Sequence, residues 1–394
     1  MDQKKILFIS HEASLSGAPI LVLDLLKRLK QERSNYSIDV LLIRGGELYE
    51  DFAKISNNII VAHYHLQSFS FIKRNLKRVQ SLIFRKKETP TLQNKIDKIT
   101  GSLLLNSYDL VYGNTMESLI WTLPFYKKNI PTIVAIHELS FGIESTYPKE
   151  FVLENISNIT RIIAGSKAVA ENLIAKYHAD PDKIQVVHSF VDTELKIQKD
   201  KASLRETLNI EKDELIIGIA SSQELRKGTD MVPMLVQKIR QKTNIRFKFI
   251  NLGGTSKSPA VRCAKLDAEK LGVENDIIFI DHNKTPNDYI NLFDIFLLMS
   301  REDPFPLVML TAAKLKKPIV AFEKSGGAVE FLENGHGVLI PYLDLDSMAS
   351  ETIRLMENAD LREKYGENIH QKLEAEYSDK KLAARIFKLI DDLV

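Results

Sequence analysis

The sequence predicts an α/β protein made of two doubly wound domains, and three observations lead there. Short β-branched apolar runs alternate with amphipathic helical patterns along the chain. The runs are apolar almost without interruption, as strands of a parallel sheet covered on both faces must be. The alternation stops once, in a polar stretch near the middle, and then restarts. At 394 residues the chain suits two such domains and is too long for one ordinary core.

In order, the first set of strands reads "KKILFIS", "SIDVLLIR", "NIIVAHYH", "LVYGN", "TIVAIH", "RIIAGS" and "IQVVHS". After "HSFVDTEL" comes "KIQKDKASLRETLNIEKDE", which is polar, lacks strand character and reads as the connection between domains. The second set is "LIIGIAS", "FKFINLGG", "IIFIDH", "IFLLMS", "PIVAFE" and "GVLIP", separated by helical segments such as Asp230 to Lys242 and Asn287 to Phe293. The expected domains are 1–194 and 195–375, facing each other across a cleft. The final "LAARIFKLIDDLV" is an amphipathic helix, and segment 376–394 is expected to complete the first domain.

Composition excludes several classes. With 44% hydrophobic and 27% charged residues the chain is neither disordered nor, lacking a long apolar run, membrane-spanning. Met1 leads through "DQKK" into a strand without a signal-peptide pattern, and a single cysteine, Cys263, rules out an internal disulfide framework, so a cytoplasmic setting is expected. A net charge of +2 argues against a nucleic-acid partner, yet residues 1–100 hold 17 Lys/Arg against 10 Asp/Glu. Much of that excess lies in "FIKRNLKRVQSLIFRKK", residues 71–87, where Ile72, Leu76, Val79 and Ile83 keep helical spacing among Lys73, Arg74, Lys77, Arg78, Arg85, Lys86 and Lys87. Two readings fit this basic amphipathic helix: a solvated face on a core-packed helix, or contact with an anionic membrane surface or lipid-linked acceptor, which would place the protein at the inner face of the membrane.

In doubly wound sheets ligands bind beyond the carboxyl ends of strands, so the loops there matter most. "GIASSQELRKGTD" offers Ser221 and Ser222, then Arg226 and Lys227 before Gly228; a lysine there meets a phosphate as a point charge, or is ordinary surface charge. "INLGGTSK" places Gly253 and Gly254 after a strand, for close approach of a ligand or for a turn. In "SREDPFPLVMLTAA", Pro306 suits a helix start and Asp303 can accept from free helix amides. His63 and His65 alternate on a strand without further ligands and make a poor metal site. No GxGxxG opens a helix, which argues against a dinucleotide-binding oxidoreductase.

Together these pieces resemble glycosyltransferase family 4, the retaining nucleotide-sugar glycosyltransferases of the GT-B fold, with its two Rossmann-like domains. The family signature Glu-Gly-Phe-Gly-Leu, with a second Glu eight residues after the first, reads here Asp303-Pro304-Phe305-Pro306-Leu307 with Thr311 at the second position. The "RKG" lysine, the Gly-Gly, the "IFLLMS" strand and "SGGAVEFLENGHGVLIP" follow in the family's order. In the first half, "FISHEASLSGAPILVLDLLKRL" with Gly17, "VYGNT" with Asn114, "AIHE" with His137, "AGSKAV" with Ser166 and "HSFVD" with Val191 and Asp192 are similar to its strand ends and crossover.

The resemblance implies a hexosyltransferase that transfers sugar from a nucleoside-diphosphate sugar to a glycan or lipid-linked acceptor, with no cofactor and no metal. Lys227 would stabilise the leaving diphosphate, helped by Arg226, Ser222 and backbone amides at Gly254, Phe305, Leu307 and Val308, with Pro306 shaping the helix start. Asp303 would accept from sugar hydroxyls and His137 would meet the sugar near the reacting carbon. Gly17 and Asn114 would serve the acceptor side. His11 is a lesser candidate. Three departures bear on this. Thr311 replaces the glutamate expected to grip the ribose, Pro304 and Pro306 remove two N–H donors, and Ser221 and Ser222 stand where an arginine is usual. A non-catalytic or weakened donor-binding partner subunit is therefore the competing expectation.

Overall fold

The computed structural model describes residues 3–62, 92–190 and 195–394. The basic segment 71–87, His63, His65, Val191 and Asp192 lie outside the described residues. The chain forms two compact units. One comprises Met1–Gly165, Val169–Val187 and Ala383–Val394, the other Ser166–Ala168 and His188–Leu382.

The first unit holds strands β1 (Lys4–Ser10), β2 (Tyr36–Leu42), β3 (Asn58–Val61), β4 (Leu110–Asn114), β5 (Thr132–Ile136), β6 (Arg161–Ala164) and β7 (Ile184–Val186). They form one parallel sheet in the order β3-β2-β1-β4-β5-β6-β7. β4 and β5 are buried at every position, which is why their sequences show no polar alternation. Phe8, Phe52, Trp121, Phe125, Tyr177 and Phe387 are the largest fully buried side chains of this unit among the described residues. Each such side chain contributes roughly 1.5–3 kcal/mol of hydrophobic stabilisation.

The last helix, Asp379–Asp391, reaches the first unit from Ala383 onward. There Arg33 pairs with Asp391 at 3.1 Å and Arg385 donates to the Val186 carbonyl at 2.8 Å.

The second unit holds β8 (Leu215–Ala220), β9 (Phe247–Leu252), β10 (Ile277–Ile280), β11 (Ile295–Leu298), β12 (Ile319–Phe322) and β13 (Val338–Ile340), parallel in the order β10-β9-β8-β11-β12-β13. Both faces are covered. Ile216 and Ala220 of β8 join a cluster with Phe293, Phe296, Met309 and Phe331, while Ile217 and Ile219 join another with Leu235, Phe249 and Met348.

One expectation along this stretch differs from the structure. The polar connection contains a helix, Lys201–Thr207, capped by the Asp200 carboxylate on Ser203 N at 3.0 Å. Its few apolar residues, Leu204 and Ile210, are buried in the second unit's core, so a segment read as linker is anchored. By contact, Ser166–Ala168 and the chain from His188 group with the second unit. Here the Glu330 carboxylate accepts from Lys167 N at 3.0 and 3.2 Å and lies 2.7 Å from His188 Nε2. No helix among the described residues is long and apolar enough to cross a membrane.

Candidate functional site

Strand order reverses once in each sheet: β1 lies between β2 and β4, and β8 between β9 and β11. Chain leaving such neighbours departs to opposite sides, so a crevice opens beyond their carboxyl ends. In the second unit those ends are Ala220 and Leu298, and the loops that follow carry Ser222, Arg226, Lys227 and Asp303.

The structure joins Lys227 and Asp303, 76 residues apart, as an ion pair between Nζ and Oδ2, with side chains only 14% and 7% exposed. Ser300 Oγ donates to the same Oδ2 at 3.3 Å. Asp303 does not cap the following helix, Leu307–Lys314, whose cap position is Pro306 with no side-chain bond. Lys227 outcompetes the helix amides for the carboxylate because a charged donor makes the stronger bond. The Asp303 backbone is fixed too: its N–H donates to Ser325 O at 2.7 Å, Gly327 N donates to its carbonyl at 3.1 Å, and it forms a parallel bridge with Gly326.

Lys227 ends a short 3-10 turn, Leu225–Lys227, closed by Gly228 at φ 83°. A Cβ on Gly228 would sit 2.2 Å from Met299 O, so only glycine lets the turn lie against the end of β11. Arg301, which sequence reasoning missed, stitches the two loops: its guanidinium pairs with Asp230 through two bonds of 2.8 Å, and its N–H donates to Arg226 O at 2.8 Å. Arg226 is spent similarly, donating to Glu302 O at 2.8 Å. Ser222 is exposed in the same loop.

The remaining predicted residues divide by environment. Gly254, at φ 68°, would place a Cβ 2.5 Å from Gln223 N, so its first requirement is the neighbouring loop's backbone. Phe305 is a core residue, its ring stacked 5.7 Å from Tyr377 and tilted against His188 at 5.0 Å. Leu307, Val308 and Thr311 share the half-buried face of their helix, while Met309, Leu310, Ala312 and Ala313 are buried. The amides of Phe305, Leu307 and Val308 donate to no acceptor among the described residues.

At the first unit's reversal, Asn114 and His137 are brought together: His137 Nε2 lies 3.1 Å from Asn114 Oδ1, and Asn114 Nδ2 donates to Ala18 O at 2.9 Å. Ala18 follows Gly17, the exposed first residue of helix Gly17–Glu32. Since the Asn114 amide donates to Ala18, its oxygen accepts from His137 Nε2–H, and Nδ1 is left buried without a partner among the described residues. Burial, with His11 adding, pushes His137 down to about 4, so the ring is neutral at pH 7.

Sequence reasoning missed the acids here. Glu138 accepts from Met116 N at 3.2 Å and from His137 N at 2.8 Å; its carboxyl is pushed up by burial, against those amides. Glu12 is held well below the usual range, chiefly by His11 beside it and by the Ser14 hydroxyl and Arg44, against the effect of burial. Arg44 also pairs with Glu117, at 2.9 Å through NH2. A signal was present: β1 and β5 are each followed by His-Glu, His11-Glu12 and His137-Glu138. Thr115, just past β4, has φ 77° and ψ 159°, a costly conformation for a β-branched residue of the kind that collects at functional sites. Among the described residues no group of three or more His, Cys, Asp or Glu could hold a metal ion.

Between pH 6.5 and about 4 the unfolded chain binds a proton that native His137 refuses, so its contribution to stability is whole above 6.5 and lost as pH falls toward 4. His137→Asn is expected to flatten the acid-side fall of unfolding free energy over that window, measured by urea titration at several pH values. Glu138 is present in both proteins, so its opposite trend cancels in the comparison.

Two family models cover most of the chain: Glycosyltransferase Family 4 matches residues 15–195, and Glycosyl transferases group 1 matches residues 200–372. Among curated relatives, N-acetyl-alpha-D-glucosaminyl L-malate synthase of Bacillus anthracis is 23% identical over 233 residues, 58% of this chain and 59% of the relative. D-inositol 3-phosphate glycosyltransferase of Stackebrandtia nassauensis is 26% identical over 245 residues, 59% of this chain and 55% of the relative. The matched stretch is thus less than two thirds of either relative's length. Among solved structures, Anabaena Alr3699/HepE in complex with UDP has a TM-score of 0.78 at 18% identity, covering 98% of this chain and 100% of that one. A glycosyltransferase from Rickettsia africae has a TM-score of 0.77 at 16% identity, covering 99% and 98%. With both sheets, their reversal points and both family models in agreement, the chain belongs to glycosyltransferase family 4, of the GT-B fold.

Proposed function

We propose that the protein is a retaining glycosyltransferase that moves a hexose from a nucleoside-diphosphate sugar to a glycan or glycolipid acceptor without a metal. The observation that carries this reading is the Lys227–Asp303 pair at the β8/β11 reversal, beside the free first-turn amides of helix Leu307–Lys314. Breaking the bond between the anomeric carbon and the phosphate oxygen returns the electron pair to the diphosphate. An ammonium has three donors, so Lys227 can keep Asp303 and still meet that charge. The helix amides add roughly 0.3–2 kcal/mol for an anion. Asp303 gives Oδ2 to Lys227 and Ser300, which leaves Oδ1 for a sugar hydroxyl. In the family's front-side displacement the departing phosphate takes the acceptor proton, and the new bond forms on the face the phosphate leaves. The family resemblance assigns His137 to the sugar, and Gly17 and Asn114 to the acceptor side.

The test is a panel of UDP-, GDP- and dTDP-sugars with acceptors that include malate and inositol 3-phosphate, named for the relatives, and lipid-linked glycans. Transfer with the donor's anomeric configuration kept in the product, read by NMR, is expected. Lys227→Ala should cost about 10²–10³ in kcat/KM. Absence of both nucleotide binding and turnover across the panel would sink the enzymatic reading.

A second reading, a donor-binding partner subunit with a weakened site, is favoured by one residue. Thr311 lies on the half-buried helix face with Leu307 and Val308 and offers a short hydroxyl in place of a carboxylate. Hydrogen bonds to a charged group are worth about 1.5–3 kcal/mol each. Thr311→Glu is therefore expected to tighten nucleotide binding by about 10- to 100-fold in calorimetry. An unchanged affinity would mean that the ribose is held elsewhere.

The basic segment 71–87 supports peripheral attachment to an anionic membrane. The purified protein is expected to sediment with phosphatidylglycerol vesicles at low salt and to be released at high salt. Failure to sediment at low salt removes this part of the proposal.

A further inference from the structure

His137 is placed by two strand ends at once, and one side chain spans both. β4 ends at Asn114, whose Oδ1 accepts from His137 Nε2–H, and β5 leads directly into His137. Between them the chain makes an unfavourable turn at Thr115, φ 77°, whose N–H donates to Ala135 O at 2.8 Å and whose carbonyl accepts from Ser118 N at 3.1 Å and Ser118 Oγ at 2.7 Å. That turn points the next amide, Met116 N–H, toward β5. There both oxygens of Glu138 receive it at 3.2 Å, and Oε2 also receives His137 N–H at 2.8 Å. Withdrawing this carboxylate would strand two amides and release a backbone conformation that Thr115 does not prefer.

We infer that Glu138 is a positioning residue: by clamping the amides of Met116 and His137 it fixes the separation of Asn114 from His137, and with it the place and tautomer of the imidazole. The inference rests on the reading of His137 as a residue that meets the donor sugar. It deepens that reading, because the Nε2–H tautomer leaves Nδ1 as a lone pair, buried and without a partner among the described residues. The ring, with its Nε2–H given to Asn114, does not act as an acid. Glu138 itself touches no substrate in this scheme. Burial raises its carboxyl, and the bonds from Met116 and His137 work against that burial.

The test uses the full chain, with Glu138→Ala and Glu138→Gln compared with wild type. Glu138→Ala is expected to lower kcat by about 10- to 100-fold, as displacement of a reacting group does, with donor KM within about twofold of wild type. Glu138→Gln should keep most of the activity, because one amide oxygen at the Oε2 position reaches both Met116 N and His137 N. Independently of turnover, ¹⁵N-histidine NMR, with His137→Asn to assign the signal, should show the Nε2–H form of His137 in wild type and Glu138→Gln, and a mixture of tautomers in Glu138→Ala. If Glu138→Ala does not fold, Glu138→Asp, one methylene shorter, draws the carboxylate back from both amides and is read in the same way. Unchanged kcat in Glu138→Ala, equal damage in Glu138→Gln, or an unchanged tautomer would each overturn the inference. Should wild type transfer no sugar at all, the proposed function fails and the tautomer alone decides the role of Glu138.

Discussion

Burial of two parallel sheets on both faces is the constraint from which the rest follows. A strand enclosed by helices has no room for an unpaired polar side chain, so polar chemistry is driven to where strands end. β4 and β5 are buried along their whole length, and the hydrogen-bonding groups Asn114, Thr115, His137 and Glu138 stand at or just past their ends. β8 and β11 behave alike, giving way to Ser221 and Ser300. The reversal of strand order then selects which ends share a crevice. Both candidate clusters therefore occupy the one part of each unit where the core cannot extend.

Placing charges there has a cost that the neighbours offset. Lys227 and Asp303 are nearly buried and bonded to each other, with Ser300 as a further donor. A buried pair of this kind contributes little net stability, because desolvation consumes most of the Coulombic gain. Its value lies in fixed geometry. The same holds in the first unit, where Arg44 serves Glu12 and Glu117 together. Arg301 and Arg226 act through backbone carbonyls and Asp230, making the loops around Lys227 stiff before any ligand arrives.

What was legible in the sequence was local. Strands show as apolar runs, so both sheets could be read, and motifs at strand ends pointed to Lys227, Asp303, Asn114 and His137. What was not legible was pairing over distance. Nothing within a few residues of Asp303 says that its carboxylate will leave the adjacent helix for a lysine 76 positions away. Arg301 and Arg44 are unremarkable in their own neighbourhoods, and their partners Asp230 and Glu117 are 71 and 73 residues off. Phe305 shows both sides: its motif marked its backbone N–H for the donor, and its ring belongs to an aromatic cluster with Tyr377 and His188 that only the fold assembles. The polar connector failed for a related reason, since Leu204 and Ile210 are too few to announce a core-facing helix.

The pairing of Lys227 with Asp303 also bears on how fast a ligand arrives. An unpaired lysine in a crevice would project a positive field and draw in any small anion, with a rate that falls as ionic strength rises. A lysine whose charge is already cancelled projects little. If the proposed anionic donor binds here, its encounter would depend on diffusion and shape rather than on steering. Inorganic phosphate would gain no long-range advantage. Selectivity would then be exercised on the dissociation rate, after contact.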